Sequence, residues 1–390
     1  MRTASLSVAY MPLVDAAPLI VAQEMGFAEA EGLALDLIPA PSWSSVRDML
    51  VFGRVQAAHL LSPVPVAMAL GLGGLTTALS AVSVLSVNGN SIGVSAALAQ
   101  ALRAAGHDFA FDDAGAAGAA LAQVARDGLT FGAPFPFSMH VELLRYWFEK
   151  TPLAGVPVDI RTVPPPLMAE ALAAGEIDAF CVGEPWGSMA VETGHGALLL
   201  PGSAIWEFSP EKVLTVRSEW AEAEPELLGR LMRAVWQAGR WLAPEGRKAA
   251  AAEILSRKPY LDVPAEVIDR ALTGRLTISE RGDLRHVPGF VRFHNGAANF
   301  PWRSQAKWIA GRLAPRVGLD PEEAQRRAAP VFRSDLYRRE LKPIGAEMPG
   351  ASEKLEGAIR HPTAVASTSG RLTLMPDAFF DGLVFDPVNG

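Results

Sequence analysis

Cysteine is almost absent. Cys181 is the single one in 390 residues, which excludes an internal disulfide framework and any multi-cysteine zinc or iron–sulfur site. Charge of either sign is missing from Val55 to Leu102. A membrane span needs roughly 20 predominantly apolar residues without breakers, and Pro63, Pro65, Gly71, Gly73, Gly74, Asn88, Gly89 and Asn90 punctuate this run. Buried strands and helices are therefore expected, and no membrane span. The amino terminus lacks the cationic start, unbroken apolar run and small-residue cleavage site of an export signal, and no lipobox cysteine follows, so a cytoplasmic location is expected. Basic residues number 35 against 42 acidic ones, a net charge of −7. That balance argues against direct nucleic-acid binding, which needs concentrated Lys and Arg. No GxGxxG follows a strand, and GxxxxGK[ST] and HExxH do not occur. No cofactor and no metal are expected.

What is present points to layered α/β architecture. With 49% apolar and 20% charged residues, the chain is compact, and its length predicts two or three folding units. Short apolar strands alternate with helical patterns: strands at Leu6–Tyr10, Leu33–Ile38, Ala57–Leu61 and Ala81–Val87, helices at Ala17–Met25 and Trp43–Phe52. Ser42 is placed to cap the second of these. The alternation resumes with strands Thr130–Ala133, Val158–Val163 and Ile177–Val182 around a helix Met139–Lys150. Strands at Ala197–Leu200 and Lys212–Val216 follow, and from Pro225 the chain reads mostly helical. These strand sets imply two lobes, one from residues 1–88 and 212–390, the other from 89–211. Crossings are expected near 88–92 and 200–212, with the helical carboxy-terminal part packed on the first lobe.

In open α/β sheets ligands sit beyond the carboxyl ends of strands, so polar residues there are candidates. Trp43, Ser44 and Ser45 open a predicted helix whose free N–H groups suit an anion; a half-buried anchoring Trp is the plain alternative. Asn90, in Asn88-Gly89-Asn90-Ser91, offers an amide at a crossing, or belongs to an ordinary turn. His140 opens an aromatic-rich helix, and a lone His is more often structural. Gly183 follows a strand and permits close backbone approach. Lys212 precedes an apolar strand, where a lone Lys is usually a solvated charge. Cys181 with His140 would suit a Cys-dependent hydrolase, although a single cysteine ending a buried strand is more often inert core.

Taken together, YMPLVDAAPLIVAQEMGF, SWSSVRDML, HLLSPVP, NGNSIGVS, MHVELLRYW, CVGEPW, SPEKVLTV, FHNGAANFPWRSQAKW and VFRSDLYRREL occur in one order over roughly residues 5 to 340, and the tail FFDGLVFDPVNG adds to them. In this the chain resembles the nitrate- and bicarbonate-binding solute-binding proteins of the NrtA/CmpA type. The resemblance implies a two-lobed periplasmic-binding-protein-like (type II) α/β fold, a non-enzymatic role, and an anion held between the lobes by Trp43, Asn90, His140, Gly183 and Lys212. Two departures stand out: the family's transporters commonly carry Gln where Asn90 stands, and a Gly-Thr-His segment where this chain has Phe137-Ser138-Met139-His140. The site implied is one of donors plus a single fixed charge, which suits acceptor-only nitrate or nitrite. Lys at 212 favours nitrate over bicarbonate, since the bicarbonate branch carries an acidic residue there. The chain is most similar to the family's cytoplasmic branch, nitrate/nitrite sensors of the NasS type. Those hold an RNA-binding, ANTAR-type antiterminator (NasT-like) until the anion binds. A nitrate-binding subunit of an ABC transporter is the alternative implied.

Overall fold

The computed structural model describes residues 3–367 and 370–389. Met1, Arg2, Thr368, Ser369 and Gly390, which belong to the expected first-lobe segments, lie outside the described residues. The first sheet contains β1 (Ala4–Tyr10), β2 (Leu33–Pro39), β3 (Ala57–Leu61), β4 (Leu79–Asn88), β10 (Pro210–Arg217) and β13 (Val291–Arg292), ordered β13-β4-β10-β3-β1-β2. The second contains β5 (Asn90–Ser95), β6 (Leu129–Ala133), β7 (Val158–Thr162), β8 (Ala179–Gly183) and β9 (Gly196–Pro201), ordered β7-β6-β8-β5-β9. A small hairpin-like pair, β11 (Arg275–Thr277) and β12 (Leu284–His286), lies apart. Both main sheets are mixed: β1 runs parallel to β2 and β3, while β10 is antiparallel to β3 and β4. The architecture is α/β and periplasmic-binding-protein-like.

Burial explains the uncharged stretch. Every residue of β3 and β4 is buried, as are the first five of β5, so a charge there would be desolvated without a partner. Among the described residues no helix is long and apolar enough to cross a membrane. Helix ends follow their sequence signals. Ser42 Oγ accepts the Ser45 N–H at 3.2 Å, and Pro225 occupies the first turn of the helix Pro225–Leu242.

The chain passes from first sheet to second with only Gly89 between β4 and β5. Asn88 adopts φ 59° and Gly89 φ 94°, a left-handed pair that glycine tolerates. The return crossing runs from Pro201 to Pro210, and Asn88 ties the two crossings together. Its side-chain oxygen accepts the Ser209 N–H at 3.0 Å, its amide donates to the Glu207 carbonyl at 2.7 Å, and its own N–H donates to the Ser209 carbonyl at 2.9 Å. The segment 88–91 is thus no ordinary turn: Asn90 and Ser91 already belong to a strand.

The helix Pro225–Leu242 packs on the helix Ala17–Glu24 beside the first sheet, as the sequence pattern leads one to expect. The same carboxy-terminal part also reaches the second lobe. Arg316 pairs with buried Glu142 at 2.5 Å, and the Tyr146 hydroxyl donates to Asp381 at 2.9 Å. Phe379 stacks on Trp206 at 4.8 Å, and the Leu198 N–H donates to the Ile278 carbonyl at 2.8 Å. Strands and helices of both lobes are therefore braced from behind.

Candidate functional site

Three parallel strand ends and two antiparallel strand starts converge at the junction of the sheets. β1 ends at Tyr10 and leads to Asp15; β3 ends at Leu61, just beyond His59; β8 ends at Gly183. Opposite them, Lys212 near the start of β10 pairs with Leu61, and Asn90 at the start of β5 pairs with Gly183. Adjacent strand residues normally face opposite sides of a sheet. In β10 the register shifts on both sides of Lys212, and such a bulge re-aims a side chain. Glu211 and Lys212 consequently meet each other, with Lys212 Nζ donating to Glu211 Oε1 at 2.8 Å.

Lys212 is fully buried and lies between two carboxylates. Its Nζ is 2.7 Å from Asp15 Oδ2 as well as 2.8 Å from Glu211 Oε1, and 5.4 Å from the centre of the Trp43 ring. Asp15 Oδ1 lies 3.0 Å from His59 Nε2, and the other His59 nitrogen accepts the Met11 N–H at 3.4 Å. Glu211 Oε2 accepts from the Asn90 amide at 2.7 Å, while Oε1 also lies 3.3 Å from His140 Nδ1. Asp15, Trp43, His59, Asn90, His140, Glu211 and Lys212 are each 2% exposed or less. Asp15, Trp43, His59, Glu211 and Lys212 come from the first sheet's side; Asn90, His140 and Gly183 come from the second.

Burial alone would raise the Asp15 carboxyl, but Lys212 and His59 hold it at about 2. Burial lowers Lys212, and the two carboxylates beside it more than reverse that, so it stays protonated. Burial pushes Glu211 up against the pull of Lys212 and Asn90. His140 is held well below its ordinary value by burial and by Lys212. In the cluster Asp15 and Lys212 are thus held charged, while burial works against the charged forms of Glu211 and His140. Polar groups remain unspent: both ring nitrogens of His140 and the Trp43 Nε1 are buried without hydrogen-bond partners, the 3.3 Å approach of His140 Nδ1 to Glu211 being a charge contact only. Gly183 faces the same spot, where an added Cβ would lie 3.0 Å from Leu13, 3.7 Å from Asp15 Oδ2 and 3.9 Å from His140 Nε2. Buried, unpartnered N–H groups beside a lysine ammonium are equipped to hold a small oxyanion.

Of the residues proposed from sequence, Trp43, Asn90, His140, Gly183 and Lys212 come together here. Ser44 and Ser45 do not join them. Both hydroxyls lie 2.9 Å from Ser42 Oγ, so they are engaged in the helix cap. Lys212 is not the free charge of an all-donor site, because two carboxylates neutralise it. Asp15, His59 and Glu211 were missed, although each lies inside a segment already singled out: VDAAP, HLLSPVP and SPEKV. Cys181 is buried in β8 and burial raises its thiol well above the ordinary value, opposite to an activated nucleophile. Gly89-Asn90-Ser91-Ile92-Gly93 spells the GxSxG pattern of serine hydrolases, which the sequence reading wrongly took to be absent. Ser91 lies within β5 and its hydroxyl donates to Glu184 at 2.9 Å, so it forms no exposed nucleophile elbow.

The sequence model of the NMT1-like family matches residues 1–256. The chain is 29% identical over 404 residues to the nitrate/nitrite binding protein NrtA of Nostoc, covering 99% of this chain and 84% of that protein. It is 30% identical over 345 residues to the nitrate import ATP-binding protein NrtC of Synechocystis, covering 87% of this chain. The chain spans only half of NrtC's length. The crystal structure of periplasmic nitrate-binding NrtA from Synechocystis superposes with a TM-score of 0.82 at 26% identity, covering 99% of this chain and 96% of that one.

Proposed function

This chain belongs to the NMT1-like family, and from that premise we propose that it is a solute-binding protein that holds nitrate or nitrite at the Lys212 cluster. The observation that carries the reading is the unpartnered Trp43 indole N–H and His140 ring, both buried in the same cluster as the Lys212 ammonium. Similarity to nitrate-binding NrtA supports it over nearly the whole chain. The finer proposal is a cytoplasmic sensor of the NasS type. Its anion-free form sequesters a NasT-like, ANTAR-type antiterminator, and anion binding releases it. Residues of both lobes meet in the cluster, so an anion there favours the closed arrangement and shifts the partner equilibrium by its differential affinity. The acidic chain suits a partner with a basic face, and the contact should weaken with salt.

Two experiments test the two levels. Calorimetric titration with nitrate, nitrite, bicarbonate and sulfate in parallel should give binding of the first two and none of sulfate, whose second charge would be left uncompensated. Absence of nitrate and nitrite heats sinks the anion reading. Co-purification with the antiterminator should succeed without anion and fail with millimolar nitrate or nitrite. A complex that survives saturating anion removes the sensor role and leaves plain solute binding.

A further inference from the structure

His140 has a carboxylate on one side and the anion position on the other. Its Nδ1 lies 3.3 Å from Glu211 Oε1, a charge contact that does not have hydrogen-bond geometry in the anion-free protein. Its Nε2 is buried, without a hydrogen-bond partner, and directed to the spot shared by Gly183 and Asp15. A neutral imidazole has one N–H and one lone pair. If the proton sits on Nδ1 it serves Glu211, and the Nε2 lone pair then faces an acceptor-only anion. If it sits on Nε2 it serves the anion, and the Nδ1 lone pair faces the carboxylate. Only the imidazolium donates on both sides.

The charge count leads to the same place. Asp15 and Lys212 cancel. His59 cannot supply a charge, because its Nδ1 already accepts the Met11 N–H while Nε2 faces Asp15. Asn90 and Trp43 are neutral, and the Cys181 thiol near Glu211 is kept protonated by burial. With Glu211 ionised the anion-free cluster carries one net negative charge, and an entering monoanion would make two in a buried setting. We propose that nitrate binds here together with one proton, taken from solvent onto His140, so that Glu211 and His140 select an acceptor-only oxyanion plus a proton. The inference rests on the anion-binding reading above. In the free protein burial and Lys212 keep His140 neutral, and the charge of the anion restores its basicity. An oxyanion with its own hydroxyl, bicarbonate for example, can donate to the neutral Nε2 without a proton from solvent, but it then leaves the second negative charge of the cluster uncompensated.

The test is titration of the full chain with sodium nitrate in phosphate and in Tris at one pH, since the two buffers differ in ionisation enthalpy. The difference in heat should correspond to about one proton taken up per nitrate. Affinity should fall about tenfold per pH unit once His140 is neutral in the free protein. Glu211→Gln removes the competing carboxylate, so its proton uptake should drop towards zero and its affinity should flatten with pH. Nitrate binding with equal heats in both buffers, or with affinity independent of pH, overturns the proton coupling and leaves the anion reading standing. No nitrate binding at any pH overturns both. The buffer comparison on the unmodified chain decides the question even where the variant fails to fold.

Discussion

Two lysines in this chain each lie between two carboxylates and over a tryptophan ring. Lys212 has Asp15, Glu211 and Trp43; Lys354 has Asp377, Glu356 and Trp302. The charge inventories match, and in both the indole N–H is buried without a partner. The surroundings differ. Around Lys354 every carboxylate oxygen is satisfied locally: Glu356 accepts from Ser304 at 2.6 Å and from Lys354, and Asp377 accepts from the Ile359 N–H at 2.8 Å and from Lys354. All its members lie between Trp302 and Asp377. The Lys212 cluster draws residues from Asp15 to Lys212, on both sides of the lobe junction, and leaves both ring nitrogens of His140 without a hydrogen-bond partner. A buried ion triad alone therefore does not mark a site. Leftover donors on groups from separate lobes do, because they can be satisfied only by something that arrives.

The comparison breaks most sharply at the lysines. Lys212→Ala should destabilise the protein by about 3–5 kcal/mol, since two buried carboxylates lose their counter-ion. It should also weaken nitrate binding by about a hundredfold or more through loss of a charged donor. Chemical denaturation and calorimetry together read the two effects. Lys354→Ala should lower stability by the same order, about 3–5 kcal/mol, yet leave nitrate affinity unchanged under conditions where it stays folded. A large affinity loss in Lys354→Ala would erase the distinction between the clusters.

Smaller changes sharpen it. Gly183→Ala places a methyl 3.0 Å from Leu13 and near His140 Nε2. Crowding of this kind typically costs about 1–3 kcal/mol, and here it should appear mainly as a roughly tenfold weaker nitrate affinity with little change in unfolding midpoint. Equal affinity would move the anion position away from Gly183. The acid limb of stability should depend on Asp15. Its folded pKa of about 2 lies below the ordinary 3.8, so its contribution is fully present above pH 4–5 and is lost as pH falls towards 2. The size is about 2 kcal/mol. Urea unfolding between pH 6 and 2.5 should show that loss in the parent and a shallower one in Asp15→Asn.

Much of the frame was legible residue by residue. Ala57–Leu61 reads as a strand because four apolar residues and one uncharged histidine follow Gln56 and stop at Ser62-Pro63, and it is one. Met139 begins a helix where the pattern places it. β5 was not legible, since Asn88-Gly89-Asn90 is turn chemistry by any local rule and only the second sheet makes Asn90 a strand residue. The helix Ala114–Val124 also escaped, because an Ala- and Gly-rich run gives no amphipathic period.

The amino-acid order by itself determined the alternation of strands and helices, because local periodicity and turn chemistry are written in neighbouring residues. It could not determine what Lys212 faces. Asp15 follows an apolar run, His59 sits inside a buried strand, and Glu211 is an unremarkable acid before a lysine; none signals a partner from its own surroundings. Electrostatics act through space, and burial multiplies them. Only the meeting of the two sheets, with the bulge that turns Glu211 and Lys212 toward each other, brought Asp15 and Glu211 onto one buried lysine and set His140 beside them.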